Sequence, residues 1–174
     1  RPRVIRVVCA RLLNSRTLNP QQAAHAHAHA HAHGMTARAN PRDLVDDSVP
    51  AAAAAESVRW FLQAGNLDAA FRVVWQLADD LRRDDLALRV ALCITPPAPT
   101  GDPRFDALIA GIVEYLLSSD GLPLPTWLSE DSRCLDDPWD VEPVPSLQAN
   151  ARSRTPESLA RHGVFLDPME LVNL

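Results

Sequence analysis

Five histidines at every second position, His25, His27, His29, His31 and His33, are the densest group of chemistry-bearing side chains in the sequence. On a helix His25, His29 and His33 share one face at i, i+4 spacing, and neutral imidazoles so placed bind zinc, nickel or copper. A working metal site usually adds acids or cysteines in a fixed geometry, and neither accompanies the repeat. The alternation of His and Ala is low-complexity sequence that cannot bury a varied core. Three readings stay open for residues 1–34: sequence translated upstream of a start at Met35, a tag remnant, or a metal-binding tail. The stretch Arg1–Leu13 is basic and apolar, as targeting segments are, but has no small-residue cleavage site. The fold is therefore sought from residue 35 onward.

Outside the repeat there is one histidine, His162, at the end of a short helical pattern, where an imidazole interacts with exposed carbonyls. The aspartate pairs 46/47, 79/80, 84/85 and 136/137 are adjacent in sequence. Adjacent side chains on a helix point apart, so none reads as an acid–base dyad. No nucleophile elbow, glycine-rich dinucleotide fingerprint, phosphate loop or zinc-protease motif occurs. Cys9, Cys93 and Cys134 are odd in number and widely spaced, which supports no disulfide framework and fits a reducing, cytoplasmic setting. A binding protein is expected, not an enzyme, and one with neither cofactor nor metal in its body.

The 174 residues suit one domain, and an apolar content of 47% suffices for a core. No apolar run reaches the roughly 18–20 residues of a membrane span; Glu114 interrupts the best candidate, Ile109–Leu117. All 17 basic residues are arginine. Residues 1–34 sum to +5, which leaves −10 on residues 35–174 of a chain whose net charge is −5. So acidic a body argues against direct nucleic-acid binding, which needs clustered cations, and favours a basic partner surface.

Helix signals dominate the body. The alanine run Ala51–Ala55 opens a helix that ends at Gly65, a residue suited to the left-handed position after a helix. Asn66 caps a second helix, whose stripe is Leu67, Ala70, Phe71, Val74, Leu77, Ala78 and Leu81. The charge run Asp79–Asp85 reads as a solvated helix end. The segment Leu86–Ile94 is dense in apolar residues, and its periodicity does not separate helix from buried strand. After a proline-rich break, Asp102-Pro103 opens a helix with Phe105, Leu108, Ile109, Ile112, Leu116 and Leu117 on its stripe, closed by Gly121. The expected fold is all-α: a small helical bundle over residues 35–121, with a Pro/Trp-rich extended tail over 122–174 that ends in short helices.

The tail mixes proline with large aromatics, in Leu122-Pro-Leu-Pro-Thr-Trp127 and Pro138-Trp139, and Pro143 and Pro145 prolong it. Each tryptophan buries about 150–250 Å² when covered, so these rings pack on the bundle or on a partner. Thr155-Pro156-Glu157 reads as a helix start closed by Gly163, and Asp167-Pro168 as another. Together Thr100–Tyr115, Gly121–Trp127, Leu135-Asp-Asp-Pro-Trp139, Thr155-Pro-Glu157 and Arg161–Asp167 resemble a module of GC-rich bacteria. It is the C-terminal domain of Xre-type antitoxin-like proteins paired with nucleotidyltransferase-like toxins. The resemblance spans roughly residues 56–174. Between Met35 and Val58 there is too little chain for the helix-turn-helix that longer members carry, so the resemblance implies the partner-binding half alone.

The functional expectation is a protein-interaction module, antitoxin-like or regulatory, that neutralises a toxin by covering its basic cleft. Trp127, Trp139 and Phe165 are the expected partner-binding anchors, since interface hot spots favour large aromatics, and Arg161 is expected to pair with an acid of the partner. The alternative is a free-standing structural or oligomerising helical domain, and a third reading is metal handling by the His-Ala repeat.

Overall fold

In the computed structural model, residues 48–83 and 85–172 are described. The His-Ala repeat, Met35, Asn40–Asp43 and the pair Asp46–Asp47 lie outside the described residues, as does Asp84 of the charge run. Six α-helices occur among the described residues: α1 Ala51–Gln63, α2 Leu67–Arg83, α3 Leu86–Cys93, α4 Pro103–Ser119, α5 Pro145–Arg154 and α6 Glu157–Arg161. Three 3-10 turns follow the same chain, at Thr126–Ser129, Asp131–Arg133 and Pro168–Leu171. Two two-residue strands, β1 Trp139–Asp140 and β2 Val164–Phe165, pair in parallel with Trp139 opposite Val164. The fold is the expected all-α bundle, with this strand pair as its only sheet among the described residues.

Helix ends follow the caps written into the sequence. Gly65, at φ 69°, lets the Asn66 N–H reach back to the Phe61 carbonyl at 2.9 Å and turns α2 onto α1. The Asn66 side chain then accepts from the Ala69 N–H. Buried Ala51, Ala54 and Ala55 give α1 a side-chain-poor surface on which α2 can lie closely. Asp102 accepts from the Arg104 N–H at 2.9 Å, with Pro103 at the first helical position of α4. Asp85, within the charge run read as a solvated end, caps α3 by accepting from the Ala87 and Leu88 N–H groups.

Helix α4 is the centre of the molecule. Its residues from Phe105 to Leu117 are buried on nearly every side, Tyr115 excepted. The neighbours are α1, α2 and α3 from the first half and α6, β2 and the Asp131–Arg133 turn from the second. Gly111 lets α6 cross closely, since a Cβ there would stand 2.8 Å from Leu159 Cδ2 and 3.3 Å from its Cα. The segment after residue 122 shares this core, adding Trp127, Leu128, Leu159, Val164, Leu166 and Leu171.

Three local expectations are corrected. Residues 145–154 are helical, because Pro145 stands at the start of α5 where no N–H is needed. Thr155 does not cap α6. Its hydroxyl donates to the Ala151 carbonyl at 2.9 Å and accepts from the Leu166 N–H at 3.1 Å, tying α5 to the strand end. Asp80 is buried and not solvated, because it accepts from Val49 N–H, Gln76 and Arg83 and so anchors the chain's entry into α1.

Gly163 has φ 76°, and a Cβ there would meet Leu135 Cβ at 2.9 Å and its carbonyl oxygen at 3.0 Å; Gly65 has similar backbone but open space. Gly163→Ala is therefore expected to cost about 2–4 kcal/mol in chemical denaturation, and Gly65→Ala only about 1–2 kcal/mol. Equal costs at the two sites contradict the packing at Gly163. The Arg104 guanidinium holds the Asp102 carboxyl below the usual carboxylate range. The stability this contributes is complete above that range and lost as pH falls through the lowered value. In acid titration of unfolding, Asp102→Asn should remove that loss.

Candidate functional site

Helix α3 carries one polar side chain in eight residues, and that side chain points inward. Arg89 is 5% exposed, while Leu86 and Ile94 are 52% and 66% exposed. At 100° per residue, Leu86, Val90 and Ile94, the last just past the helix end in helical backbone, form a row at i, i+4 and i+8 on the outer arc. Leu86 and Ile94 at its ends are exposed, Val90 between them is half-buried against the core, and exposed Ala87 and Ala91 lie beside it. Leu88, Arg89, Leu92 and Cys93 fill the inner arc. The polarity of an ordinary surface helix is thus reversed. The cause is the end of α4. Arg89 Nη1 donates to Asp120 at 2.6 Å and Nη2 to the Leu116 carbonyl at 2.6 Å, so the guanidinium satisfies helix-end groups that have no partner within α4. Its Nε has no partner. On the same inner arc, burial pushes the Cys93 thiol up to about 12, which makes it an inert core residue.

A second exposed apolar feature lies at the end of α1. Trp60 is 63% exposed, its ring edge-on to Phe61 at 4.8 Å between centroids. Leu67, at the start of α2, is exposed as well.

The four residues expected to meet a partner occupy different settings. Trp127 is a core residue, 2% exposed, with its indole N–H donated to the Cys93 carbonyl at 2.8 Å and Arg133 over its ring. It offers a partner nothing, and the anchor expectation is corrected there. Trp139 is half-buried; its ring lies about 6 Å from Phe71 and Phe105, with Arg104 above it, and its main-chain N–H donates to the Gly163 carbonyl at 2.8 Å. Phe165 is half-buried beneath Arg152, itself held by Asp140. Arg161 is exposed, but its guanidinium is paired within the chain, to Glu114 at 2.5 Å and Glu157 at 3.8 Å.

Arg161 belongs to a network that sequence reasoning did not assemble. His162, 1% exposed, places Nδ1 2.7 Å from the Arg133 carbonyl and Nε2 2.8 Å from Glu114. Its partners come from α4 and the Asp131–Arg133 turn, not from the carbonyls ending its own helix. Cys134 Sγ stands 3.8 Å from Nδ1, which gives the outline of a Cys–His–Glu nucleophile site. Two facts oppose that chemistry. A carbonyl only accepts, so Nδ1 carries its proton toward Arg133 and offers the thiol no base. Burial, with Asp131 and Glu114 nearby, also pushes the Cys134 thiol up, away from the thiolate a nucleophile needs. Among the described residues, no group of three or more His, Cys, Asp or Glu could hold a metal ion, and no helix is long and apolar enough to cross a membrane.

One signal in the sequence pointed to each site. Glu114 interrupts an apolar run, and Arg89 is the lone charge in another; each marks a buried polar group that needs a partner. Glu114→Ala strands His162 and Arg161, so it should cost about 3–5 kcal/mol in denaturant unfolding, against about 0–1 kcal/mol for exposed Arg161→Ala. Ile94→Ser, just past the end of α3, should stay within about 0.5 kcal/mol of the parent, whereas Arg89→Ala on α3 should cost several times more. The opposite ranking refutes the reversed helix.

Comparison with protein-family models, with curated proteins and with solved structures finds no match to this chain.

Proposed function

We propose that the chain is a protein-interaction module of regulatory, antitoxin-like kind, which acts in the cytoplasm and neutralises a partner by binding it. The observation that carries this reading is α3. A helix whose side chains are apolar but for one buried arginine is ordinarily covered on all sides, and this one has most of its outer arc in water. Trp60 adds an exposed ring of the type that dominates interface energetics.

Electrostatics supports a basic partner. Seven arginines of the described residues (83, 89, 104, 133, 152, 154 and 161) are paired with carboxylates of the chain itself. Glu56, Asp68, Asp131, Asp136 and Asp137 are exposed. Exposed Arg59 and Arg72 are the exceptions, and the net acidic surface favours encounter with a cationic protein over nucleic acid. The resemblance to antitoxin-like modules makes a nucleotidyltransferase-like toxin the partner of choice, with the acidic body set against its cleft.

The test is co-expression of the full chain with the product of the neighbouring gene. A stable complex that relieves that product's toxicity is expected, and Trp60→Ala combined with Ile94→Glu should abolish both effects while the circular dichroism of the chain stays unchanged. If the chain is recovered folded and alone, with growth unaffected, the antitoxin reading is wrong and a self-contained structural domain takes its place.

A further inference from the structure

The geometry points to a specific occupant for the outer face of α3: a cationic amphipathic helix of the partner, lying along the row Leu86, Val90 and Ile94. This rests on the interaction reading above and adds the chemistry of the element that docks.

Shape favours a helix. Side chains at i, i+4 and i+8 form a ridge, and such a ridge seats in the groove between the corresponding rows of another helix. An extended segment gains affinity from main-chain hydrogen bonds to a free sheet edge. The face of α3 is a helix surface, whose N–H and C=O groups are engaged along its own axis, so it offers an extended segment no such bonds. Exposed Ala87 and Ala91 beside the ridge let a second helix axis come close.

Charge decides between a foreign helix and a second copy. Residues 48–172 hold ten arginines against nineteen carboxylates, a net −9 on every copy of this region. Two copies meeting face to face bring like charges together. A cationic helix instead gains from the same field. It can also continue past α3 toward exposed Asp85 at its N-terminal end. Arg89 does not oppose it, because its charge is buried and paired with Asp120.

The experiment is calorimetric titration of the full chain with two synthetic helical peptides. Both carry leucines at i, i+4 and i+8; one is flanked by lysines and the other by glutamates at the same positions. The lysine peptide is expected to bind more tightly at low salt and to lose about 10-fold or more in affinity on Leu86→Glu or Ile94→Glu, both exposed positions whose change leaves the core intact. The glutamate peptide is expected to bind at least about 10-fold more weakly. Binding of the lysine peptide that neither substitution alters, equal binding of the two peptides, or no binding of either overturns the proposal. So does a concentration-dependent dimer of the free chain that Ile94→Glu dissolves, which assigns the face to a second copy. If the neighbouring-gene complex forms and survives both substitutions, only this inference falls. If the peptides behave as expected and that complex does not form, the antitoxin reading falls alone.

Discussion

Glu114 lies in the middle of a helix that is surrounded by apolar side chains, and an unpaired carboxylate there would cost several kcal/mol. The second half of the chain supplies what it lacks. Arg161 and His162, consecutive in sequence at the end of α6, reach the two oxygens of the same carboxylate, and the other nitrogen of His162 holds the Arg133 carbonyl. One buried acid on α4 thus gathers α6 and the Asp131–Arg133 turn. Gly111 makes the approach possible by leaving room for Leu159 one helical turn away. Removing the acid does more than delete a contact, since it leaves a cation and an imidazole without the partner around which their segment is placed.

The same logic recurs wherever polarity enters this interior. Asp80 collects the Val49 N–H, Gln76 and Arg83; Arg133 reaches the Pro97 carbonyl at 2.6 Å while covering Trp127; Arg89 ties α3 to the end of α4. Each includes at least one bond from a side chain of one segment to a main-chain group of another. Apolar burial supplies the bulk of the driving force, but it is nondirectional. These few polar contacts set which way α3 faces and where the proline-rich segments run.

The helices that could be read in the sequence are those whose local signals agree with each other. For α2 the Asn66 cap, the stripe and the Gly65 turn coincide; for α4 the Asp102-Pro103 start and the Gly121 stop do. Helix α5 escaped because Ala151 is its only buried residue, so there is no stripe to see, and its opening proline resembles the extended prolines before it. The face of α3 escaped for the opposite reason: apolar residues at every position but one leave periodicity little to detect, and a lone arginine is assumed to face water. Residue type selected Trp127 as an anchor and passed over Trp60, because exposure depends on what the rest of the chain covers. The Glu114–His162 pair spans 48 residues of sequence, a distance at which no local pattern operates.

Arg89 also determines what α3 cannot do. A short helix with an exposed apolar arc has an evident way to hide it, which is to roll about its own axis until the arc meets the bundle. Rolling would carry the guanidinium away from Asp120 and from the Leu116 carbonyl, leaving the last turn of α4 without its cross-chain donor. The water-facing arc is therefore not a loosely held surface that the molecule can fold away when alone. The Arg89 contacts hold that arc in one orientation, so a partner of the proposed kind would meet a surface already in its binding form.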